Sequence, residues 1–277
     1  MPNVELERLK LSSWRKLALG TWHSPGDPSV YGTLSIDATR LAQRQALWRK
    51  RDPSSKPPTI TAIVARATAL TMNRYPQLNG LIRWKRIYLR KNVTLFLQTA
   101  VDDEGKELSG VSIFEAEKKS LAEIAKELQL KAKAIREDKD PNFQQAKSMF
   151  SFVPVFLMRP LLELTSFLMY TLNLDLRRLG LPKDPFGSAM ITSIGSIGLD
   201  EAFAPLISYS RIPVGLAVGA VRDTPVVREG KIEIAPVFKI GVTFDHRFID
   251  GLYGAKMAKH FKHLLETEEG LDQIGFI

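Results

Sequence analysis

The sequence contains no cysteine. Disulfides, thiolate metal sites and cysteine nucleophiles are therefore excluded, and any thiol chemistry must use a thiol that a substrate brings. Histidine is scarce, with four in 277 residues. Acidic residues are in deficit, 30 Asp and Glu against 39 Lys and Arg, giving a formal charge of +9. That balance favours anionic partners (phosphorylated cofactors, acidic carriers, nucleic acid, anionic lipid) without choosing among them. No apolar run is long enough to span a bilayer. The most apolar stretch, Ser148 to Leu176, is interrupted by Arg159, Pro160 and Glu163, and its uncharged parts are 11 residues each, where a span needs about 20. The start, MPNVELERLK, lacks the apolar stretch of a secretory leader, so the expectation is a cytoplasmic protein. With no composition break, internal repeat or low-complexity tract, a single domain over 1–277 is expected.

What is present reads as alternating helices and strands. Val30–Ile36 alternates and is β-rich, and Asp37 stands at an N-cap position before a basic amphipathic helix, ATRLAQRQALWRK. A helix is predicted over Thr59–Asn73, short strands around RIYLR and VTLFLQTAVD, and DEGKELSG as the turn after them. Lys118–Arg136 carries Leu121, Ile124, Leu128 and Ala132 at helical spacing. From Ser188 the chain becomes short strands punctuated by glycine, with a hairpin signal at REGK and a final helix over Leu252–Leu265. The order predicts an α+β domain with a largely mixed sheet.

One of the four histidines, His246, closes the apolar strand PVFKIGVTFD and is followed by Asp250 and Gly251. A neutral imidazole at a rigid strand end can take a proton from a hydroxyl or thiol, and a nearby acid can orient the ring or lock the turn. A satisfied structural histidine before an ordinary Asp-Gly turn is the plain alternative. His260 and His263, three residues apart on the last helix, have no acidic ligand placed beside them and are expected to face solvent, with no metal site. Gly195 and Gly198 fit no nucleotide fingerprint and read as turn glycines. The basic stretch RWKRIYLRK, Arg83–Lys91, is either a phosphate-neutralising surface or an exposed strand. It comes with no nucleic-acid recognition module, and no nucleic acid is expected as a partner.

Within FDHRFIDG, the HxxxDG pattern resembles the active-site motif of the chloramphenicol-acetyltransferase-like superfamily, and specifically the acyltransferase catalytic domain of 2-oxo-acid dehydrogenase complexes. Further stretches resemble the same family in the same order: SSWRKLA, RYPQLNG, KKSLAEIA, ITSIGSIGLDEAFAP and the run from Val214 to Gly251. Together they cover roughly residues 11 to 265. The resemblance implies a two-layer fold of mixed β-sheet and packed helices. It implies a trimer with active sites between subunits, acting on coenzyme A thioesters. It makes His246 the general base, pairs Asp250 with Arg15, and gives Thr192 the hydroxyl that meets the oxyanion. It names no coenzyme A-binding residues.

Two departures from the family pattern bear on function. No lipoyl or peripheral-subunit-binding domain is read in this chain, so no covalent lipoyl group is expected on it, and an acceptor must be a small molecule or carrier-bound. An apolar insertion at about 140–184 is expected to be a buried helical hairpin or subunit contact; its functional alternatives are a lid, an acyl-chain pocket or a peripheral membrane anchor. The expectation is a stand-alone acyltransferase. Its rivals are one acting on a lipid or other apolar acceptor through the insertion, and a catalytically silent trimeric scaffold.

Overall fold

The computed structural model describes residues 4–10, 12, 28–51, 53, 56–100, 108–137 and 153–276. Strands β2 (Ser29–Asp37), β5 (Leu95–Ala100), β6 (Leu108–Ile113), β7 (Ala189–Ser193), β8 (Val214–Val218), β9 (Arg222–Arg228) and β10 (Lys231–Asp245) form one sheet. Its order is β2-β10-β8-β7-β5-β6, with β9 paired to the first half of β10. The sheet is mixed, as the alternation of elements predicts: β5–β7 and β7–β8 are parallel and the other pairs antiparallel. A second, three-stranded sheet of β1 (Leu6–Arg8), β4 (Arg86–Arg90) and β3 (Gly80–Arg83) runs antiparallel throughout.

The helices form where the periodicity places them. In α1 (Thr39–Arg51) the first backbone amide and the Thr39 hydroxyl both reach the Asp37 carboxylate, at 2.9 and 2.6 Å. Asp37 itself is still the last residue of β2, and Ala38 accepts the first helical bond, from Ala42. Helix α2 (Ile60–Arg74) is capped by the Thr59 hydroxyl. Helix α3 (Leu121–Arg136) begins at a reciprocal Ser120–Glu123 capping box, so the Lys118–Lys119 portion of the predicted helix stays outside it. These helices and α5 (Gly251–Glu266) build a single core: Ile63, Val64 and Met72 of α2, Ile124 of α3 and Leu264 of α5 are buried in one cluster with the inner face of the sheet. Short α6 (Glu268–Gln273) follows. On the other face lies the extended segment around Asp200 and Ala202. A Cβ at Gly219 would come within 2.0 Å of the Asp200 carbonyl, and one at Gly241 within 1.9 Å of that of Ala202, so both positions require glycine.

The β9–β10 turn is Glu229-Gly230, with Arg228 paired to Lys231 and both loop residues at positive φ (50° and 78°). This is the tight hairpin that REGK signals. Strands β1 and β3 and the strand character of LSG in β6 are additions to the sequence reading, which assigned the last of these to a turn.

In the insertion, α4 (Val155–Ser166) continues into a π-helical turn at Phe167–Thr171. The expectation of a buried hairpin does not hold for α4. Only Ser166 is buried within it, while Val155 is 88% and Phe156 79% exposed. Among the described residues, the helix packs through the side where Arg211 donates to the Ser166 hydroxyl. The later part does pack: Met169 and Tyr170 share a small cluster with Val4 and Leu81. Behind them Asp184 accepts from buried Arg90 at 2.9 Å, and Arg90 also donates to the Gly80 carbonyl at 2.8 Å. This pair stitches the small sheet to the start of the strand region.

Removing one partner of a buried ion pair leaves an uncompensated charge, at a cost of about 3–5 kcal/mol. Asp184→Ala is therefore expected to lower the urea unfolding midpoint by that equivalent, and Arg90→Met with Asp184→Leu to recover most of it. An Asp184→Ala midpoint within error of the parent would show that the pair contributes nothing.

Candidate active site

The second half of β10 is paired on both edges, with Phe244 opposite both Val30 of β2 and Val214 of β8. Beyond Phe244 the strand is tied off rather than frayed. The Asp245 amide donates to the Pro213 carbonyl and the His246 amide to the Pro28 carbonyl, each at 2.9 Å. His246 is thus fixed at the backbone where strand becomes turn, with Nδ1 buried.

Its two neighbours lock it further. The Arg247 guanidinium forks onto Asp245, Nε to Oδ1 at 3.0 Å and Nη2 to Oδ2 at 2.6 Å, and the Arg247 amide reaches Oδ1 at 2.9 Å. A bidentate pair of buried Asp245 and half-buried Arg247, spanning the histidine, restricts the backbone on both sides of it. The sequence reading missed this role of Asp245; the only signal for it is the Asp-x-Arg spacing within the motif. Phe248 and Ile249 then plunge into the core. Asp250 becomes the N-cap of α5, its carboxylate accepting from the Tyr253 amide at 2.9 Å. The acid four residues after the histidine therefore pins the exit of the turn to a helix start, where an anion is also favoured by the helix dipole. Arg15, expected to pair with Asp250, lies outside the described residues.

Thr192 sits half-buried on β7, but not beside His246. It pairs with Ala217 of β8, and Ala217 with Gly241 of β10, five residues before the histidine. At about 3.3 Å per residue and 4.8 Å per strand, the two are separated by roughly 16 Å along the strands and about 10 Å across them. One chain places its candidate base and its candidate oxyanion donor at opposite ends of the sheet.

The turn and the sheet around it carry a family signature that covers most of the chain. The model of the 2-oxoacid dehydrogenases acyltransferase catalytic domain matches residues 6–151 and 184–271. The chain belongs to this family. The gap between the matched parts, residues 152–183, contains α4 and the π turn. A Bacillus subtilis relative, the dihydrolipoyllysine-residue acetyltransferase component of an acetoin cleaving system, is 27% identical over 241 residues, 86% of this chain and 50% of its own length. The chain thus spans about half the length of that curated relative. Among solved structures, the cubic core of the pyruvate dehydrogenase multienzyme complex superposes with a TM-score of 0.65 at 19% identity, covering 98% of this chain and 94% of that one. A chloramphenicol acetyltransferase does so at 0.56 and 17%, covering 95% and 100%. At such identities the likeness establishes the fold, which is the α+β, chloramphenicol-acetyltransferase-like one.

The remaining sequence candidates take structural places. Arg90 of the basic stretch is buried against Asp184 and presents nothing to a phosphate. A Cβ on Gly195 would sit 2.6 Å from the backbone of Gly219 and Ala220, and Gly198 has φ +83°, so both serve a turn. His260 stacks edge-on to Tyr75, with burial lowering its pKa, while His263 lies 3.8 Å from Glu269.

Losing a cap of this kind costs about 1 kcal/mol. Asp250→Ala is expected to lower the unfolding midpoint by that amount, and Asp250→Asn or Asp250→Ser, which keep an acceptor oxygen, to recover most of it. Equal midpoints for the alanine and asparagine variants would show that the cap is not what Asp250 contributes.

Proposed function

We propose that the chain is an acyltransferase moving an acyl group between a coenzyme A thioester and a thiol, hydroxyl or amine acceptor, with His246 as general base. The observation that carries the reading is the FDHRFIDG turn, in which two backbone bonds, the Asp245–Arg247 fork and the Asp250 cap all fix the backbone that carries one imidazole. Such fixation is what proton transfer requires, and a merely structural histidine does not.

In the thiol case, the acceptor has an ordinary pKa of about 8.5 and is mostly protonated at neutral pH. The imidazole of His246 takes its proton as the sulfur attacks the thioester carbonyl. The carbonyl oxygen becomes the oxyanion of a tetrahedral intermediate, to which the Thr192 hydroxyl donates a hydrogen bond, an interaction of order 3 kcal/mol for one well-placed donor. Collapse restores the carbonyl and expels the thiolate of coenzyme A, which receives the proton from the imidazolium. Asp250 and Arg15 touch no substrate in this scheme and act by holding the turn.

Because one chain keeps His246 and Thr192 apart, this chemistry needs two copies. The reading is therefore a homotrimer, with the histidine of one protomer facing the threonine of the next. The fold shared with the core of a multienzyme complex supports such an assembly. A lipid or other apolar acceptor is the variant that the exposed apolar side chains of α4 favour. Among the described residues no helix is long and apolar enough to cross a membrane, so any lipid contact would be peripheral.

Release of coenzyme A from acyl-coenzyme A donors, against dihydrolipoamide, small amines and lipid alcohols, tests the reading and ranks acceptors. His246→Ala should lower turnover about 10²–10⁴-fold without changing the oligomer. Undiminished turnover would remove the base, and no turnover by the parent with any acceptor would favour the silent scaffold.

Subunit mixing tests the shared site. Thr192→Ala should cost about 10²-fold. Trimers formed from equal amounts of the His246→Ala and Thr192→Ala chains should regain about a quarter of parental activity, the share of interfaces that receive both intact residues in a closed ring. Activity no higher than either variant alone would place both groups elsewhere.

A further inference from the structure

Between α5 and the inner face of the sheet lies a cavity of about 380 Å³, at the small end of the range for ligand pockets. Its floor is the inward row of the sheet, Val30, Leu34, Val242 and Phe244. Its roof is a line of small residues on α5, Gly251, Gly254, Ala255 and Ala258, spaced so that one face of the helix recedes. Thr68 and Thr71 of α2 also line it. Their hydroxyls are already committed to the Val64 and Ala67 carbonyls at 2.7 and 2.8 Å, so they offer chiefly methyl groups. The space is apolar almost throughout.

Two features give it direction. Phe244, Ile249 and Gly251 bracket His246 in the chain and all border the cavity, so it adjoins both ends of the turn that carries the imidazole. It also exists because side chains are missing. A Cβ at Gly32, on the inward row of β2, would meet nothing within 4 Å, and one at Gly254 would meet only the Phe244 ring at 4.0 Å. Neither glycine has the positive φ that would require it. The described part of the insertion contributes no residue to the lining.

We propose that this cavity receives the unbranched aliphatic part of a medium-length acyl group whose carbonyl lies at His246. The proposal rests on the acyltransferase reading for what the chain is attached to, and on the cavity for the chain itself. A water-sized unit takes about 30 Å³, so the space suits roughly eight to twelve carbons. A polar or charged occupant would find no partner there and would be penalised for its lost hydration. Each methylene moved from water into the cavity should raise affinity about fourfold, equivalent to about 0.8 kcal/mol.

Calorimetric titration of the full chain with acetyl-coenzyme A, octanoyl-coenzyme A and octanoate tests the proposal independently of turnover. The octanoyl thioester should bind at least tenfold more tightly than the acetyl one, and octanoate should compete with it, marking the aliphatic chain as the source of the preference. Gly32→Leu and Gly254→Leu, which fill the space, should each cut the octanoyl-to-acetyl affinity ratio at least tenfold while raising Tm. A ratio near one in the parent overturns the cavity's role, whether the space is then closed by the chain's own residues or filled by water. So does an unchanged ratio in either folded variant. Octanoyl preference without acylation of any acceptor would leave the cavity standing and remove the transferase reading; acetyl transfer with no chain-length preference would do the reverse.

Discussion

Strand β10 is hydrogen-bonded along both edges of its second half, to β2 on one side and β8 on the other, and this double ladder fixes where His246 can be. Side chains alternate faces along a strand, so a slip of one residue would turn Val242 and Phe244 away from the core. The buried cost of that error specifies the register. The turn inherits the precision of the ladder because its first two amides continue the pairing to Pro213 and Pro28, and because Asp250 hands the chain directly to a capped helix. A loop without those ties would leave the imidazole to sample many positions.

The mixed topology has a second consequence. Strands β5, β7 and β8 run parallel and end at one edge of the sheet, while β10 runs against them and ends at the other. A hydroxyl near the end of β7 and an imidazole after the end of β10 are thereby separated by the sheet itself, and no side-chain rearrangement closes the gap. A rotation relating identical subunits can. A head-to-tail interface that closes into a ring brings the far edge of one sheet against the near edge of the next, and repeats the same site at each contact. Under the proposed homotrimer, the separation of His246 from Thr192 within one chain is what a site shared between subunits requires.

Much of this was legible in the sequence, and for identifiable reasons. Periodicity located β2, α2, α3 and α5 because each buries one face against the core, and the Thr59, Ser120 and Asp250 caps lie where short polar side chains precede apolar runs. The HxxxDG spacing found the turn. Strands β1 and β3 were not legible, because three or four residues carry too little alternation to register. Arg90 looked like surface charge because its partner, Asp184, is distant in sequence. The exposure of α4 was not legible either: an apolar helix reads as buried until a structure shows residues such as Val155 and Phe156 exposed. The cavity was least legible of all, since it arises from what Gly32 and Gly254 lack.

That absence has an energetic side. In a well-packed interior, unfilled volume costs about 24 cal/mol per Å³, so a closed, dry space of 380 Å³ would forfeit about 9 kcal/mol. That is comparable with the whole stability of a typical domain, about 5–15 kcal/mol. A space of this size is tolerable only if it communicates with solvent or is filled for much of the time. Filling it permanently would need little, because the inward row of β2 has an open position at Gly32 that a larger residue could occupy without strain, and strands favour β-branched residues over glycine. The glycine at that position therefore weakens both the strand and its packing, and keeps open an apolar space bordered by residues on either side of His246.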